Sequence, residues 1–281
     1  MFGTLLRFRE HKYALVSDIK TMYNTIHTTK TEKHLRRVCW RFGKKDEQFR
    51  TFGVDRVMFG DRPAAAISSI AIRETAEIYK NIDEEAAAKI KNDTYVDDIT
   101  TGTDDKSESA VLKDSIKSIL AKGGLEVKGF VESGENSEEG LSLLGSGEVS
   151  RVLGTNWNPA EDVFSVSVKI NISKKYRGAR TEPDFSKEDI PRLMTTTLTR
   201  RILQGIVYSC FDIYGLVAPI TIQMKIELRN LFSKELNLSW DDPVPEEIKK
   251  TWIQILQKVK CVEGVKFRRC IKPEGSVVGR S

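Results

Sequence analysis

The amino-acid sequence predicts an α+β fold, in which helices back an antiparallel β-sheet and a mainly helical region follows. Three observations predict it. Short apolar runs rich in β-branched and aromatic residues recur up to about residue 170. Between them lie stretches in which Ala and Ile repeat at helical spacing. Residues 132–147 and 174–184 have the composition of a mobile loop and a linker, and the pattern beyond them is helical.

Strands are predicted where apolar and β-branched residues cluster between turn-forming residues. Seven segments have this pattern: residues 13–18, 35–42, 49–59, 93–101, 125–131, 152–157 and 163–170. The spacing of apolar residues predicts helices at residues 63–80, 107–122, 187–209, 220–236 and 245–259. Pro63 begins the first of these helices, and Gly123 with Gly124 ends the second.

Composition limits the class of protein without choosing a function. The 281 residues suffice for one large domain or two ordinary ones, and a hydrophobic content of 40% supports a buried core. The net charge of +5 suits a polyanionic partner. No apolar run approaches the roughly 20 residues of a membrane span, and the N-terminus lacks the apolar stretch of a signal peptide. We therefore expect an intracellular protein, cytoplasmic or nuclear, whose four scattered cysteines are reduced.

The most informative stretch is Tyr95-Val96-Asp97-Asp98, in which two adjacent acids stand among residues that favour extended backbone. This pattern predicts a tight hairpin with the acids at its tip. Two neighbouring anions repel each other unless solvent or a cation separates them. The tip is therefore either a hydrated turn or a site for a divalent metal ion, and the motif alone fits both.

A second acid ends the short apolar run at residues 13–18. Read alone, Asp18 is either the N-cap of the segment that follows or a ligand delivered by a buried strand. If two strands lie side by side, Asp18 comes within reach of Asp97 and Asp98. Three carboxylates could then surround two magnesium ions, which prefer such oxygen ligands and support phosphoryl transfer.

Four blocks of the sequence, in order, resemble the reverse transcriptase segment of a BEL/Pao-type long-terminal-repeat retrotransposon polyprotein. They are residues 5–12 leading into 16–23, residues 59–67, residues 95–98, and residues 152–157 followed by 162–164. The resemblance continues through residues 212–219 and 238–243. It implies an RNA-directed DNA polymerase that adds nucleotides to a primer 3′-hydroxyl with two Mg²⁺ ions, which Mn²⁺ can replace. The implied partners are an RNA or DNA template-primer and deoxynucleoside triphosphates.

The resemblance also implies a role for particular residues. Asp18, Asp97 and Asp98 would be the catalytic metal-binding carboxylates, and the Ile19 carbonyl would be a further metal ligand. Lys128 lies where the family has a lysine near the triphosphate, and it would donate a proton to pyrophosphate. For Lys128, the competing interpretation is a solvated surface lysine.

Other positions would bind the nucleotide and the primer. The Tyr23 ring would exclude a ribose 2′-hydroxyl, although a core tyrosine fits the pattern equally well. Phe59 and Gly60 belong to the block that contacts template and nucleotide, where Gly60 would permit a close approach of the backbone or would simply form a turn. Leu153 and Gly154 would open the primer-grip region.

The resemblance divides the chain into three parts. Residues 1–173 would be a polymerase palm with truncated fingers and the primer-grip region, residues 185–260 a helical region like a thumb or connection, and residues 261–281 a truncated tail. Among the helical residues, four cations either follow phosphates or form a solvated face: Arg200, Arg201, Lys225 and Arg229.

Two departures from the family pattern favour an alternative. Few basic residues precede Asp18, so most of the fingers region is missing, and no ribonuclease H pattern of acids is recognised. Residues 149–281 overlap a region called the Pao retrotransposon peptidase, but no Asp-Thr-Gly or Asp-Ser-Gly tripeptide of an aspartic protease occurs. The alternative function is a catalytically inactive transposon remnant that folds and can bind nucleic acid.

Overall fold

The computed structural model describes residues 1–43, 45–134, 150–172, 175–176, 179–180 and 183–272. The chain forms two compact units. The first unit contains residues 1–153, 159–162 and 269–281, and the second contains residues 154–158 and 163–268. The domain boundaries proposed from the family resemblance stay predictions.

Within its described residues, the first unit contains a four-stranded antiparallel sheet, a separate two-stranded ribbon and five helices. Its helices are α1 (Phe2–Arg7), α2 (Met22–Thr25), α3 (Ala64–Ile78), α4 (Glu84–Asp93) and α5 (Lys106–Lys122), with a 3₁₀ turn at Glu32–His34. Its strands are β1 (Tyr13–Asp18), β2 (Arg37–Trp40), β3 (Arg50–Gly53), β4 (Thr94–Tyr95), β5 (Asp98–Thr103), β6 (Val131–Glu132) and β7 (Ser150–Val152). The strand order of the sheet is β4-β5-β1-β6, and β2 pairs with β3.

The centre of this sheet is the antiparallel pair β1–β5. Ala14, Leu15 and Val16 of β1 are all buried. Their continuous apolar run is typical of a strand that is covered on both faces. Gly102 of β5 lies against β1 so closely that an added Cβ would stand 2.4 Å from the Tyr13 carbonyl oxygen. The absence of a side chain at Gly102 therefore permits this pairing.

Helices α3, α4 and α5 cover the sheet with an apolar core. This core includes Leu15, Ile72, Ala76, Ile90, Ile99, Ile116, Ile119 and Leu120. Two of the helices begin at a side-chain cap. Asp83 accepts a hydrogen bond from the Ala86 N–H at 2.9 Å, and Asp105 accepts one from the Ser107 N–H at 2.8 Å.

In the part of the second unit that the structure describes, a small sheet is combined with three main helices. Its strands are β8 (Thr155–Asn158), β9 (Val163–Ser165), β10 (Lys175–Tyr176), β11 (Ala179–Arg180) and β12 (Lys266–Arg268). Its helices are a 3₁₀ segment (Ile190–Thr195), α6 (Arg200–Ser209), α7 (Ala218–Asn230) and α8 (Glu246–Lys260). Strand β9 pairs with both β8 and β12, and β10 pairs with β11. Trp252, Leu256, Leu203 and Met224 lie at the centre of the helical core.

The mixed α+β class with antiparallel sheets is confirmed, but several predicted elements differ from those observed. The predicted strands at 49–59, 125–131 and 163–170 are shortened to Arg50–Gly53, Val131–Glu132 and Val163–Ser165, because β-forming residues pair only where a neighbouring strand exists. The predicted hairpin at 93–101 is present as β4 and β5.

The helical predictions also need correction. The predicted helix at 187–209 is instead a 3₁₀ segment followed by α6, which starts at Arg200 with Thr199 as its cap. Pro191 and the β-branched run 195–197 disfavour a continuous helix there. Helices α1, α2 and α4 were not predicted. Most of the predicted loop 132–147 and part of the predicted linker 174–184 lie outside the described residues.

Within the part of the chain that the structure describes, no helix combines the length and the apolar character needed to cross a membrane. All four cysteines are free thiols.

Candidate functional site

The sheet of the first unit brings together acids that are distant in the sequence. In the antiparallel register of β1 and β5, Asp18 is the direct partner of Asp98. Directly opposed residues of paired strands project on the same side of a sheet. Asp97 precedes Asp98 in the turn of the β4–β5 hairpin. The structure therefore places all three predicted acids at one end of the β1–β5 pair.

The turn that carries the acids has a strained backbone. Val96 has a φ of 59°, a left-handed conformation that β-branched residues rarely adopt. The Ile19 N–H donates a hydrogen bond to the Asp97 carbonyl oxygen at 2.9 Å, which holds the turn against the end of β1. Strain of this kind persists only where surrounding contacts enforce it, and it is concentrated at functional sites.

Burial and mutual repulsion disfavour ionisation of two of these acids. The pKa of Asp98 is raised to about 6, first by burial and then by the charges of Asp97 and Asp18. Burial is also the largest cause that raises the pKa of Asp97, and the charge of Asp18 adds to it. Both acids therefore lie where negative charge is crowded and poorly hydrated.

Lys128 provides the positive charge nearest these acids. Its Nζ lies 2.9 Å from Oδ1 of Asp18, and its backbone N–H donates to the Asp18 carbonyl oxygen at 2.9 Å. The Lys128 charge lowers the pKa of Asp97 and of Asp98, although less than burial raises them. The N-cap interpretation of Asp18 is wrong, because the N-cap of α2 is Thr21 and Asp18 pairs with Lys128.

The three acids offer the hard oxygen donors that divalent ions prefer. The raised pKa values of Asp97 and Asp98 indicate that a cation beside these two carboxylates would be stabilised. As the side chains stand, however, no group of three or more His, Cys, Asp or Glu residues within the described segments could hold a metal ion. Asp18 is turned to Lys128 in this arrangement, so metal binding here stays a prediction.

The predicted nucleotide-contacting residues form a second small group. The rings of Tyr23 and Phe59 meet edge to face, with centroids 4.9 Å apart. Phe59 is 73% exposed, while Tyr23 is partly buried in the short helix that follows β1. Gly60 has a φ of 92°, which favours glycine, and an added Cβ would meet nothing within 4 Å.

The predicted primer-grip pair forms a tight turn. Leu153 and Gly154 both have positive φ values, 48° and 88°. An added Cβ at Gly154 would stand 2.8 Å from Cε1 of Phe211, so this glycine permits the close approach of an aromatic ring. Contact of this turn with a primer stays a prediction.

Sequence reasoning missed two groups that support this part of the first unit. The Ser17 hydroxyl donates to the carbonyl oxygens of Lys128 and Gly129, at 3.1 Å each, and fixes the segment that bears Lys128. A buried serine inside the apolar run before Asp18 was the available signal. Arg36 also forms an ion pair with Asp61, next to Gly60, and nothing in the local sequence indicated it.

Comparison with protein families gave a match for the C-terminal part of the chain. Residues 199–278 match a family model described as "Pao retrotransposon-like RNaseH-like domain". The match supports an origin in a Pao/BEL retrotransposon polyprotein and a role in nucleic-acid processing. No curated protein matched the chain.

The match refines the expectations for the helical region. Residues 185–260 were expected to resemble a thumb or connection, and residues 149–281 to overlap a region called a peptidase. The matched family is instead described as RNaseH-like. All four blocks that resemble a reverse transcriptase, the last of which ends at residue 164, lie outside the matched residues, so the match supports the retrotransposon origin and not the polymerase.

Proposed function

We propose that the chain is a nucleic-acid-processing segment of a retrotransposon protein whose first unit is an RNA-directed DNA polymerase palm. The observation that carries the proposal is the pairing of Asp18 with Asp98, with Asp97 in the adjoining turn. This arrangement groups three acids on adjacent chain segments, and burial and repulsion raise the pKa values of two of them, Asp97 and Asp98. Such perturbed carboxylates are typical of catalytic sites, although structural ion pairs can also produce them.

In this proposal, Asp18, Asp97 and Asp98 hold two magnesium ions, with the Ile19 carbonyl as a further oxygen ligand. When bound, such ions activate the attacking hydroxyl and stabilise the charge on the leaving oxygen. Release of Asp18 from Lys128 would free that carboxylate for the ions. The Lys128 ammonium would then lie beside the site and donate a proton to the departing pyrophosphate.

The partly buried Tyr23 ring would lie beneath the incoming sugar, supported edge-on by Phe59. A ring in this place leaves no room for a ribose 2′-hydroxyl and so selects deoxynucleotides by exclusion. The backbone at Gly60 would contact the template and nucleotide, and the turn at Leu153 and Gly154 would contact the primer.

A catalytically inactive, nucleic-acid-binding remnant is the second candidate. The observation that favours it is the Lys128–Asp18 ion pair of 2.9 Å, which neutralises one of the required ligands. Together with the absence of a preformed three-ligand group in the described residues, this pair is compatible with a site that no longer binds metal.

Primer extension separates these candidates. The purified full chain is given an annealed RNA template and DNA primer, deoxynucleoside triphosphates, and Mg²⁺ or Mn²⁺. We expect incorporation by the native protein and a loss of roughly 100-fold or more in an Asp97→Asn, Asp98→Asn variant, because groups that stabilise transition-state charge contribute this much. The matched control is Asp46→Asn with Asp114→Asn, which removes the same charge from exposed positions.

Equal nucleotide incorporation by the native protein, the variant and the control would refute the polymerase proposal. If the native protein incorporates nothing, a thermal shift measurement tests the site directly. A rise of Tm with Mn²⁺ and a deoxynucleotide, absent in the Asp97→Asn, Asp98→Asn variant, supports the metal site. The same Tm for both proteins, together with retained nucleic-acid binding, supports the remnant.

A further inference from the structure

The second unit has a cavity of about 500 Å³ beside the end of α6 and the second half of α7. Ligand sites in proteins start at about 300 Å³, so this volume suffices for a nucleotide-sized group. The floor is apolar, with Val207 and Leu228 both buried. No residue of the predicted polymerase site lines it.

Three aromatic rings surround the cavity, and all of them are exposed. Tyr208 is 74% exposed, Phe211 44% and Phe232 45%. Single exposed apolar side chains are common on protein surfaces, but a group of large rings around one concave site is characteristic of binding surfaces. The rings offer flat apolar faces to a flat apolar ligand.

Two cations stand at the same cavity without compensation. Lys225 and Arg229 are four residues apart on α7, so they lie on one face of the helix and repel each other. Neither side chain has an ion pair or hydrogen bond among the described residues. Asp212, on the segment before α7, accepts hydrogen bonds from the N–H groups of Leu216 and Val217 instead. An anion between the two cations would remove their repulsion.

The alternation of rings and cations continues beyond the cavity. The Arg200 guanidinium lies over the Phe232 ring at 4.9 Å from its centroid, and the Phe232 and Trp240 rings meet edge to face at 5.5 Å. The Arg201 guanidinium lies 5.7 Å from the centroid of Trp240, but its charge is compensated by a two-point ion pair with Asp241. The Nε of Arg200 is buried and has no hydrogen-bond partner in the described part of the chain.

We propose that this surface binds single-stranded nucleic acid, with one unpaired base in the cavity against Tyr208, Phe211 and Phe232 and its phosphate between Lys225 and Arg229. Proteins that bind single strands combine a cationic track with aromatic rings on which successive bases stack. The chemistry is complementary on both counts: the cations match the phosphates and the rings match the bases. A base in a duplex is already paired and stacked, so it would not enter the cavity.

A second cavity of the same unit supplies a natural control. Its volume is about 530 Å³ and its lining includes two exposed lysines, Lys187 and Lys258. It also includes Glu188 but no aromatic side chain. It therefore offers similar size and the same number of cations without the rings that would hold a base.

The test is a titration of labelled oligonucleotides with the full chain, followed by fluorescence anisotropy, without metal ion or deoxynucleotide. In a Lys225→Gln, Arg229→Gln variant, we expect several-fold weaker binding of a single-stranded 12-mer and a salt slope lower by about 0.7, since the variant loses one phosphate contact and each such contact on a single strand contributes roughly 0.7. The Lys187→Gln, Lys258→Gln control should bind as the native protein does. Equal losses in both double variants would overturn the proposal.

A Tyr208→Ala variant tests the base contact, and its exposed position leaves the fold intact, as an unchanged Tm would verify. We expect the variant to bind the single strand roughly tenfold or more weakly than the native protein, because stacking of a base on an aromatic ring contributes about this much to the affinity. Binding of a duplex, or of an abasic strand that keeps its phosphates, should be unaffected by Tyr208→Ala. Equal weakening for all three ligands would refute a pocket for an unpaired base. Because no catalysis is measured, failure of the polymerase proposal leaves this result interpretable.

Discussion

At the scale of single residues, the first unit concentrates uncompensated charge at the end of β1 and β5. Asp98 is pushed towards its neutral form by burial and by two neighbouring carboxylates. Lys128 compensates only part of this negative charge, through its ion pair with Asp18. A protein selected only for stability would gain from an amide at position 98, since the ionised carboxylate costs free energy at neutral pH.

This cost predicts a pH-dependent difference between the native protein and Asp98→Asn. Because the folded-state pKa of about 6 lies above the usual 3.8, the native fold binds the proton more tightly than the unfolded chain does. Its stability therefore falls as the pH rises between these two values. We expect Asp98→Asn to be more stable than the native protein by about 1–2 kcal/mol above pH 7, after allowance for solvent screening of a partly buried group.

Urea unfolding of both proteins at pH 4 and pH 8 measures this difference. The two free energies should be nearly equal at pH 4, where the carboxyl is protonated in the native fold. Addition of Mn²⁺ at pH 8 should then stabilise the native protein more than Asp98→Asn. A constant difference at both pH values would show that position 98 carries no unfavourable charge.

At the scale of elements, the site depends on the register of β1 against β5. Gly102 permits the two backbones to approach, because any Cβ there would stand 2.4 Å from the Tyr13 carbonyl oxygen. We expect Gly102→Ala to lower the free energy of unfolding by about 1–3 kcal/mol, as overpacking typically does. It should also lower the pKa of Asp98 towards the ordinary value of an aspartate, because the substitution disturbs the pairing that holds Asp98 opposite Asp18.

Gly205→Ala serves as the control for this substitution. Gly205 lies within α6 and is exposed, and an added Cβ there would meet nothing within 4 Å. Alanine in a helix interior is favoured over glycine by roughly 0.5–1 kcal/mol, so the variant should be slightly more stable than the native protein. If both substitutions changed the free energy of unfolding in the same direction, steric contact at Gly102 would not explain the effect of Gly102→Ala.

At the scale of the whole molecule, the end of the described chain returns to the first unit. The Arg269 side chain is fully buried and forms a two-point ion pair with Asp162 at 2.6 and 2.8 Å. It also donates to the carbonyl oxygens of Phe8 and Lys12. All of these residues belong to the first unit, which is therefore built from three separate stretches of sequence.

Removal of this guanidinium should destabilise the protein. We expect Arg269→Met to lower the free energy of unfolding by about 3–5 kcal/mol, because it removes a fully buried guanidinium together with its two-point ion pair to Asp162 and its hydrogen bonds to two backbone carbonyls. The exposed Arg73 of α3 gives the control, and Arg73→Met should change stability by about 0.5 kcal/mol or less. Urea denaturation of the three proteins gives the comparison. An additional Asp162→Asn substitution should recover part of the loss, and no recovery would mean that the lost ion pair with Asp162 is not its source.

The amino-acid sequence by itself determined local features of this protein. The apolar run of β1, the hairpin at Asp97 and Asp98, and helices α3, α5, α7 and α8 could be predicted because neighbouring residues specify them. Only the tertiary structure decided which strands pair, which acids meet, and which rings and cations share a cavity. The contact of Asp18 with Lys128 and the return of Arg269 to Asp162 join residues about a hundred positions apart, and local sequence patterns contain no information about such contacts.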